Sequence, residues 1–199
     1  SRWPYLPGST LAVRGDGFET EVLQSLAQVA SDAKDFESAQ QAWRRIEALS
    51  GPGPVADAAH AKLVDMFRQL FIDGGADQLP PLQALALFDE MHDLAPKGAD
   101  GDKALDRLAE RMVQMDLLDQ AADIVEGEAG RQSDPEAKGK LGARAAALRL
   151  LASKPELAVR ALDDSEATSL SAETQEKRKL LRARAYAKIG RGEEAMTLL

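Results

Sequence analysis

"DFESAQQAWRRIEALSGPG", residues Asp35–Gly53, carries an alanine at 39, a tryptophan at 43 and a closing Gly51-Pro52. Ala39 and Trp43 lie four residues apart, so a helix sets both on one face. Glycine accepts left-handed backbone and the proline behind it cannot continue the ladder, so Gly-Pro reads as a helix stop. The stretch is therefore a short amphipathic helix with one small and one large residue on its buried side. The small one marks where another backbone comes close.

With Ala39 as anchor, matching stretches are "PLQALALF" with Ala84, "LLDQAADIV" with Ala121, "PELAVRAL" with Ala158 and "GEEAMTLL" with Ala195. The intervals are 45, 37, 37 and 37 residues, and an apolar residue follows each anchor at four: Trp43, Phe88, Val125, Leu162 and Leu199. A second amphipathic segment precedes most anchors, with Ala27, Ala109, Ala146 and Ala183 each twelve residues ahead. Two small residues per unit let two antiparallel helices close up, and larger ones fill the groove between successive pairs. No single pair buries its face alone, so units stack.

Composition agrees. Apolar residues make up 44% of the 199 and aromatics only 5%, which suits close helix packing better than sheets. Cysteine and asparagine are both absent, excluding disulfides, thiolate metal sites and N-glycosylation. No run of eighteen apolar residues occurs, so membrane insertion is not expected. Net charge is −8, against general nucleic-acid binding. It is uneven: residues 1–100 hold 8 basic and 15 acidic side chains, residues 101–199 hold 17 and 18. The basic stretch "EKRKLLRARAYAKIGR" reads as a solvated helix face. The start, "SRWPYLPGST", lacks a signal layout and an initiator Met, so localisation stays open. The alanine-rich, asparagine-free composition suggests a soluble bacterial protein, in cytoplasm or periplasm.

These residues resemble the tetratricopeptide repeat family. "LLRARAYAKIGRGEEAMTLL" is similar to its pattern through Ala183, Tyr186, Gly190 and Ala195. "LQALALFDEMHDLAP" is similar through Ala84, Phe88, Leu94 and Pro96, and the opening stretch through Phe36, Ala39, Trp43, Leu49 and Pro52. The likeness covers about residues 20–199; the period departs, at 37, from the family's usual 34, and the second unit carries a longer turn at "DGGADQLPP". Pro155 stands where the fourth unit would have an aromatic, and reads as a helix first turn. The resemblance implies an all-α solenoid, a right-handed superhelix of about five helix pairs with the last truncated. The expected units are 20–53, 54–98, 99–133, 134–168 and 169–199, behind an extended arm or linker at 1–19 that holds Trp3 and Tyr5. Because the chain stops on apolar residues inside a helix, it is expected to be a fragment of a longer protein whose open end self-associates.

Signs of chemistry are weak. Asp89 and His92 in "FDEMHD" could share a face, but two histidines and no thiol make a poor metal set. "KGADGDKALD" lacks the calcium-loop spacing of Asp100, Asp102 and Asp106 and reads as helix N-capping. Arg14-Gly15-Asp16 reads as a turn before the first helix. No nucleophile elbow, phosphate loop or dinucleotide fingerprint occurs, so neither catalysis nor a cofactor is expected.

In the resembling family the concave surface is lined by outward positions of each first helix. In register, those positions here include Gln24 and Gln28, then Asp106 and Glu110, then Ala143, Ala147 and Leu150, and finally Lys177, Leu180 and Arg184. This surface runs from polar through apolar to basic. The family's carboxylate-clamp subset uses Asn at such positions, and this chain has none. The expected function is a non-enzymatic interaction scaffold binding a peptide or protein element in that groove. A structural protein that assembles end to end, or a regulatory segment of a larger protein, remains open beside it.

Overall fold

The computed structural model describes residues 8–199, with side chains from residue 17 onward. Among these residues are ten α-helices and no strand. They are α1 (Gly8–Asp32), α2 (Phe36–Ser50), α3 (Pro54–Phe67), α4 (Pro81–Met91), α5 (Ala99–Gln114), α6 (Leu118–Arg131), α7 (Pro135–Leu151), α8 (Pro155–Asp164), α9 (Ala172–Ile189) and α10 (Gly192–Leu198). Helices pack on chain neighbours: α1 on α2, α2 on α3, and α6 through α10 in succession. Proline sits in the first turn of α3, α4, α7 and α8, where its missing N–H costs nothing. The Asp35, Asp134 and Ser171 side chains cap α2, α7 and α9 by accepting from the amides of Ser38, Ala137 and Thr174.

The repeat is written in the turns. Lys34, Asp116, Ser153 and Gly190 all take left-handed backbone, with φ of 59°, 58°, 61° and 89°. Behind each, the next amide reaches back to a carbonyl of the preceding helix at 2.8 Å: Asp35 to Ala30, Leu117 to Met112, Lys154 to Arg149, Arg191 to Tyr186. The carbonyls of Asp35, Leu117, Lys154 and Arg191 then accept from the anchor amides of Ala39, Ala121, Ala158 and Ala195 at 3.0–3.1 Å. This is a Schellman stop fused to a helix start, occurring four times in one register. Three of the left-handed residues carry a Cβ that strains the turn. Ser153→Gly should raise stability by about 0.5–1 kcal/mol, read as a higher urea midpoint, and a lower midpoint would show that the serine side chain stabilises the turn.

All five anchor alanines are buried, as are Ala27, Ala109, Ala146 and Ala183. Trp43, Phe88, Val125 and Leu162 are buried too, whereas Leu199, in the last turn of the described residues, is 75% exposed, and α10 packs on α9. The extended arm also needs correction, because α1 already begins at Gly8 and runs through Arg14-Gly15-Asp16. Trp3 and Tyr5 lie outside the described residues. The described residues fall into two compact units, one reaching to Gly101 and one beginning at Asp102.

In the first unit the longer interval holds an aromatic core. α3 ends in a π-helical turn (Arg68–Ile72), the chain reverses at left-handed Gly74, and a 3₁₀ turn (Gly75–Gln78) leads to α4. A Cβ on Gly75 would stand 2.8 Å from the Gln69 carbonyl oxygen, so glycine is required for this close approach. Phe67, Phe71 and Phe88 meet with ring centroids 5.1–5.8 Å apart. Arg44 ties α2 to the turn behind α4 by donating to Asp93 at 2.7 Å and the Glu90 carbonyl at 3.0 Å.

In the second unit, α7 carries small residues on several sides: Gly139, Gly142, Ala143, Ala145 and Ala146 are all buried. That lets α6, α8 and α9 pack around it. Two arginines lock this packing. Arg149 is buried and donates to Glu126 at 3.0 Å and Asp123 at 2.6 Å on α6, which push its pKa up. Arg178 on α9 is buried and donates to the carbonyls of Gly139 (2.9 Å) and Leu162 (2.7 Å) and to Ser165 Oγ (3.0 Å). Desolvation pulls its pKa down. The solvated basic face expected for this stretch is thus partly interior: Arg178 is enclosed, and Arg182 bonds Asp163 at 2.7 Å.

Candidate functional site

The second unit offers two hollows built on α5, α7 and α9. The first, about 630 Å³, is lined by Asp106 of α5, Lys140 and Arg144 of α7, and Glu173 and Lys177 of α9. Part of its charge is committed. Arg144 pairs with Asp106. Glu136, in the first turn of α7, accepts from Thr174 Oγ1, from the Ser171 amide at 2.8 Å and from Ser171 Oγ at 2.7 Å. Glu136 therefore clasps the α9 cap from outside, and these hydrogen bonds, Thr174's foremost, lower its pKa to about 2, with Lys140 adding to them.

The sign of the linkage follows. A depressed carboxyl pKa contributes stability that is full above about 4.5 and is lost as pH falls through about 2. Glu136→Gln should therefore lower the urea midpoint at neutral pH, and the gap from wild type should narrow as pH drops from about 4.5 toward 2. A gap of constant size would show that the ionised form is not what the cap uses.

The second hollow, about 590 Å³, lies between the later turns of α7 and α9. Its walls are Ala147, Leu150, Leu151, Leu181 and Ala187, and its edge carries Arg184 and Lys188. Among the described residues these two cations, one turn apart, have no ion-pair or hydrogen-bond partner. An apolar trough with a free cationic edge can seat an apolar side chain and hold a carboxylate beside it.

The expected groove residues separate accordingly. Asp106 and Lys177 reach the first hollow; Ala147, Leu150 and Arg184 form the second. Ala143 borders the first but is 1% exposed, so it is core, not floor, because α7 is packed on more than one side there. Glu110 and Leu180 are exposed and line neither hollow. Gln24 and Gln28 are exposed on α1 in the first unit, where Gln28 donates to Asp32 at 2.9 Å. Sequence reasoning missed Leu151, Leu181 and Lys188; Lys188 follows Arg184 by four residues, a spacing that could have flagged it.

The other sequence candidates resolve into local structure. His92 Nδ1 meets the Asp89 backbone carbonyl at 2.7 Å, not its carboxylate. Asp100 and Asp102 lie within the first turn of α5, past the cap position, and Asp100 faces Arg68 at 3.4 Å. Among the described residues no group of three His, Asp or Glu side chains is placed to hold a metal ion, and no helix is long and apolar enough to cross a membrane. No family model, curated protein or solved structure matches the chain.

Proposed function

We propose that the chain is a non-enzymatic interaction module of the tetratricopeptide-like α-solenoid type, whose α7–α9 surface receives a peptide segment from a partner protein. The solenoid reading is supported by three such turns at 37-residue intervals and a fourth, at Lys34, set the same way against its own anchor alanine, since repeat proteins stack identical supersecondary units. The binding reading rests on one observation: the apolar trough of Leu150, Leu151 and Leu181 is edged by the uncommitted cations Arg184 and Lys188. The segment that fits is an apolar anchor flanked by Asp or Glu, docked as a helix face or an extended strand.

Peptides selected from a random display library against the chain test this. The selected sequences should pair a large apolar residue with nearby acids, and Arg184→Glu/Lys188→Glu should weaken them at least tenfold, about 1.4 kcal/mol or more. Selected peptides that bind the charge-reversed variant as tightly as wild type would put the binding surface elsewhere.

A further inference from the structure

The 37-residue register sets three positions of α9 apart. At these positions α5 holds Ala104, Leu105 and Leu108, and α7 holds Leu141, Gly142 and Ala145. On α9 they are Arg178, Lys179 and Arg182. Cations thus stand where the same register elsewhere takes small or apolar residues. A departure from a chain's own local rule marks a place where something besides packing sets the residue.

Arg178 is 5% exposed, and its three hydrogen bonds go to neutral acceptors: the Gly139 and Leu162 carbonyls and Ser165 Oγ. Neutral groups satisfy its N–H donors but leave its buried charge without a close counter-charge. Burial is the main cause of its lowered pKa; Glu166 opposes the shift and Arg182 adds to it. Glu166 is a loose counter-ion. It lies on the connection between α8 and α9, its side chain is 62% exposed, and one oxygen, Oε2, serves both arginines. That oxygen stands 3.7 Å from Arg178 Nη2 and 3.5 Å from Arg182 Nη2. A good charge-assisted hydrogen bond would be about 2.7–2.9 Å. Arg182 Nη1 is taken by Asp163 at 2.7 Å, and Lys179 meets Glu176 only at 3.7 Å.

A hollow of about 260 Å³ opens at this carboxylate, lined by Glu166, Leu170, Gln175, Arg178, Lys179 and Arg182. Its charged walls are three cations and one carboxylate, in a chain whose net charge is −8. It shares no residue with the α7–α9 trough. We infer that Arg178, Lys179 and Arg182 bind an oxyanion of the phosphoryl class, which displaces the Glu166 carboxylate. A phosphoryl group carries more charge than one carboxylate and has three oxygens to divide between two guanidinium groups, whose planar forks suit it. Glu166, exposed and on a connection rather than a helix, swings into solvent to admit it.

The test titrates the whole chain with inorganic phosphate at constant ionic strength and follows the arginine Nε–Hε signals by NMR. Those of Arg178 and Arg182 should shift together along one saturating curve. Glu166→Gln removes the competing carboxylate and should tighten phosphate by about threefold, whereas Arg182→Gln should weaken it by about tenfold. Glu166 is exposed, so its variant should keep the fold even if loss of Arg182 disturbs it. O-phosphoserine titrated in parallel separates two sources of the group. Tighter phosphoserine would support the site as one for a phosphorylated side chain, and tighter phosphate as one for the free anion. Shifts that grow without saturating overturn the site, because they show only diffuse attraction of anions to surface charge. An affinity that Glu166→Gln leaves unchanged overturns it too.

Discussion

Phe88→Ala should cost about 3–5 kcal/mol, the largest single-residue loss expected in the first unit. Phe88 is 1% exposed, and both of its partner rings, Phe67 at 5.8 Å and Phe71 at 5.1 Å, are buried as well. Truncation removes the transfer energy of a whole ring and two aromatic contacts, and it leaves a void bounded by other rings. The surrounding backbone has little room to collapse: α3 is already locally unwound into a π turn, and Gly75 already sits hard against Gln69. Against a total stability on the order of 5–15 kcal/mol such a loss leaves a marginal fold. Urea denaturation followed by Trp43 fluorescence measures it. A cost of about 1 kcal/mol or less would mean that the aromatic cluster relaxes to fill the space.

Gly142→Ala should destabilise the second unit by about 1–3 kcal/mol even though alanine is the better helix former by about 1 kcal/mol. The sign is decided by distance. A Cβ at this position would lie 1.7 Å from Ser165 Oγ and 2.3 Å from Ser165 Cβ, with Arg178 Nη1 at 3.2 Å. The hydroxyl can rotate away, but the Ser165 Cβ moves only with α8. Rotating the hydroxyl also breaks its bonds with the Ala161 carbonyl and with Arg178, so the clash spreads to a buried guanidinium. Adding Ser165→Gly should recover part of the loss, and a thermal-melting double-mutant cycle would show the coupling as non-additivity. Additive effects would show that the two residues are not in conflict.

Much of the helical framework was legible because its constraint is steric and local. A position where two helices cross closely tolerates nothing beyond a Cβ, so Ala39, Ala84, Ala121, Ala158 and Ala195 stand out in the sequence and are all buried. Arg178 was not legible. Its burial depends on Gly142 and the Gly139 carbonyl of α7 and on the serine that follows α8, far along the chain, while its own surroundings are charged and read as solvated. The groove was half legible for a related reason. On most helices the polar residues announce the open side, but α7 has Gly and Ala around much of its girth, so Ala143 and Ala147 look alike in sequence. Packing on neighbouring helices separates them, enclosing the first and leaving the second half-exposed. At the start of the chain, prolines and glycines suggested extended backbone, yet helical geometry begins at Gly8.

The pairing of Gly142 with Arg178 also makes the order of the units readable. One interval earlier the same two positions hold Leu105 and Leu141. The backbone grammar is common to both junctions and would allow residues 118–154 to be excised with every turn still in phase. The side chains would not allow it, because the cut brings Leu105 to the place where Arg178 and Ser165 need a glycine. Each junction thus carries its own key, and units that are interchangeable in shape are fixed in sequence along the chain.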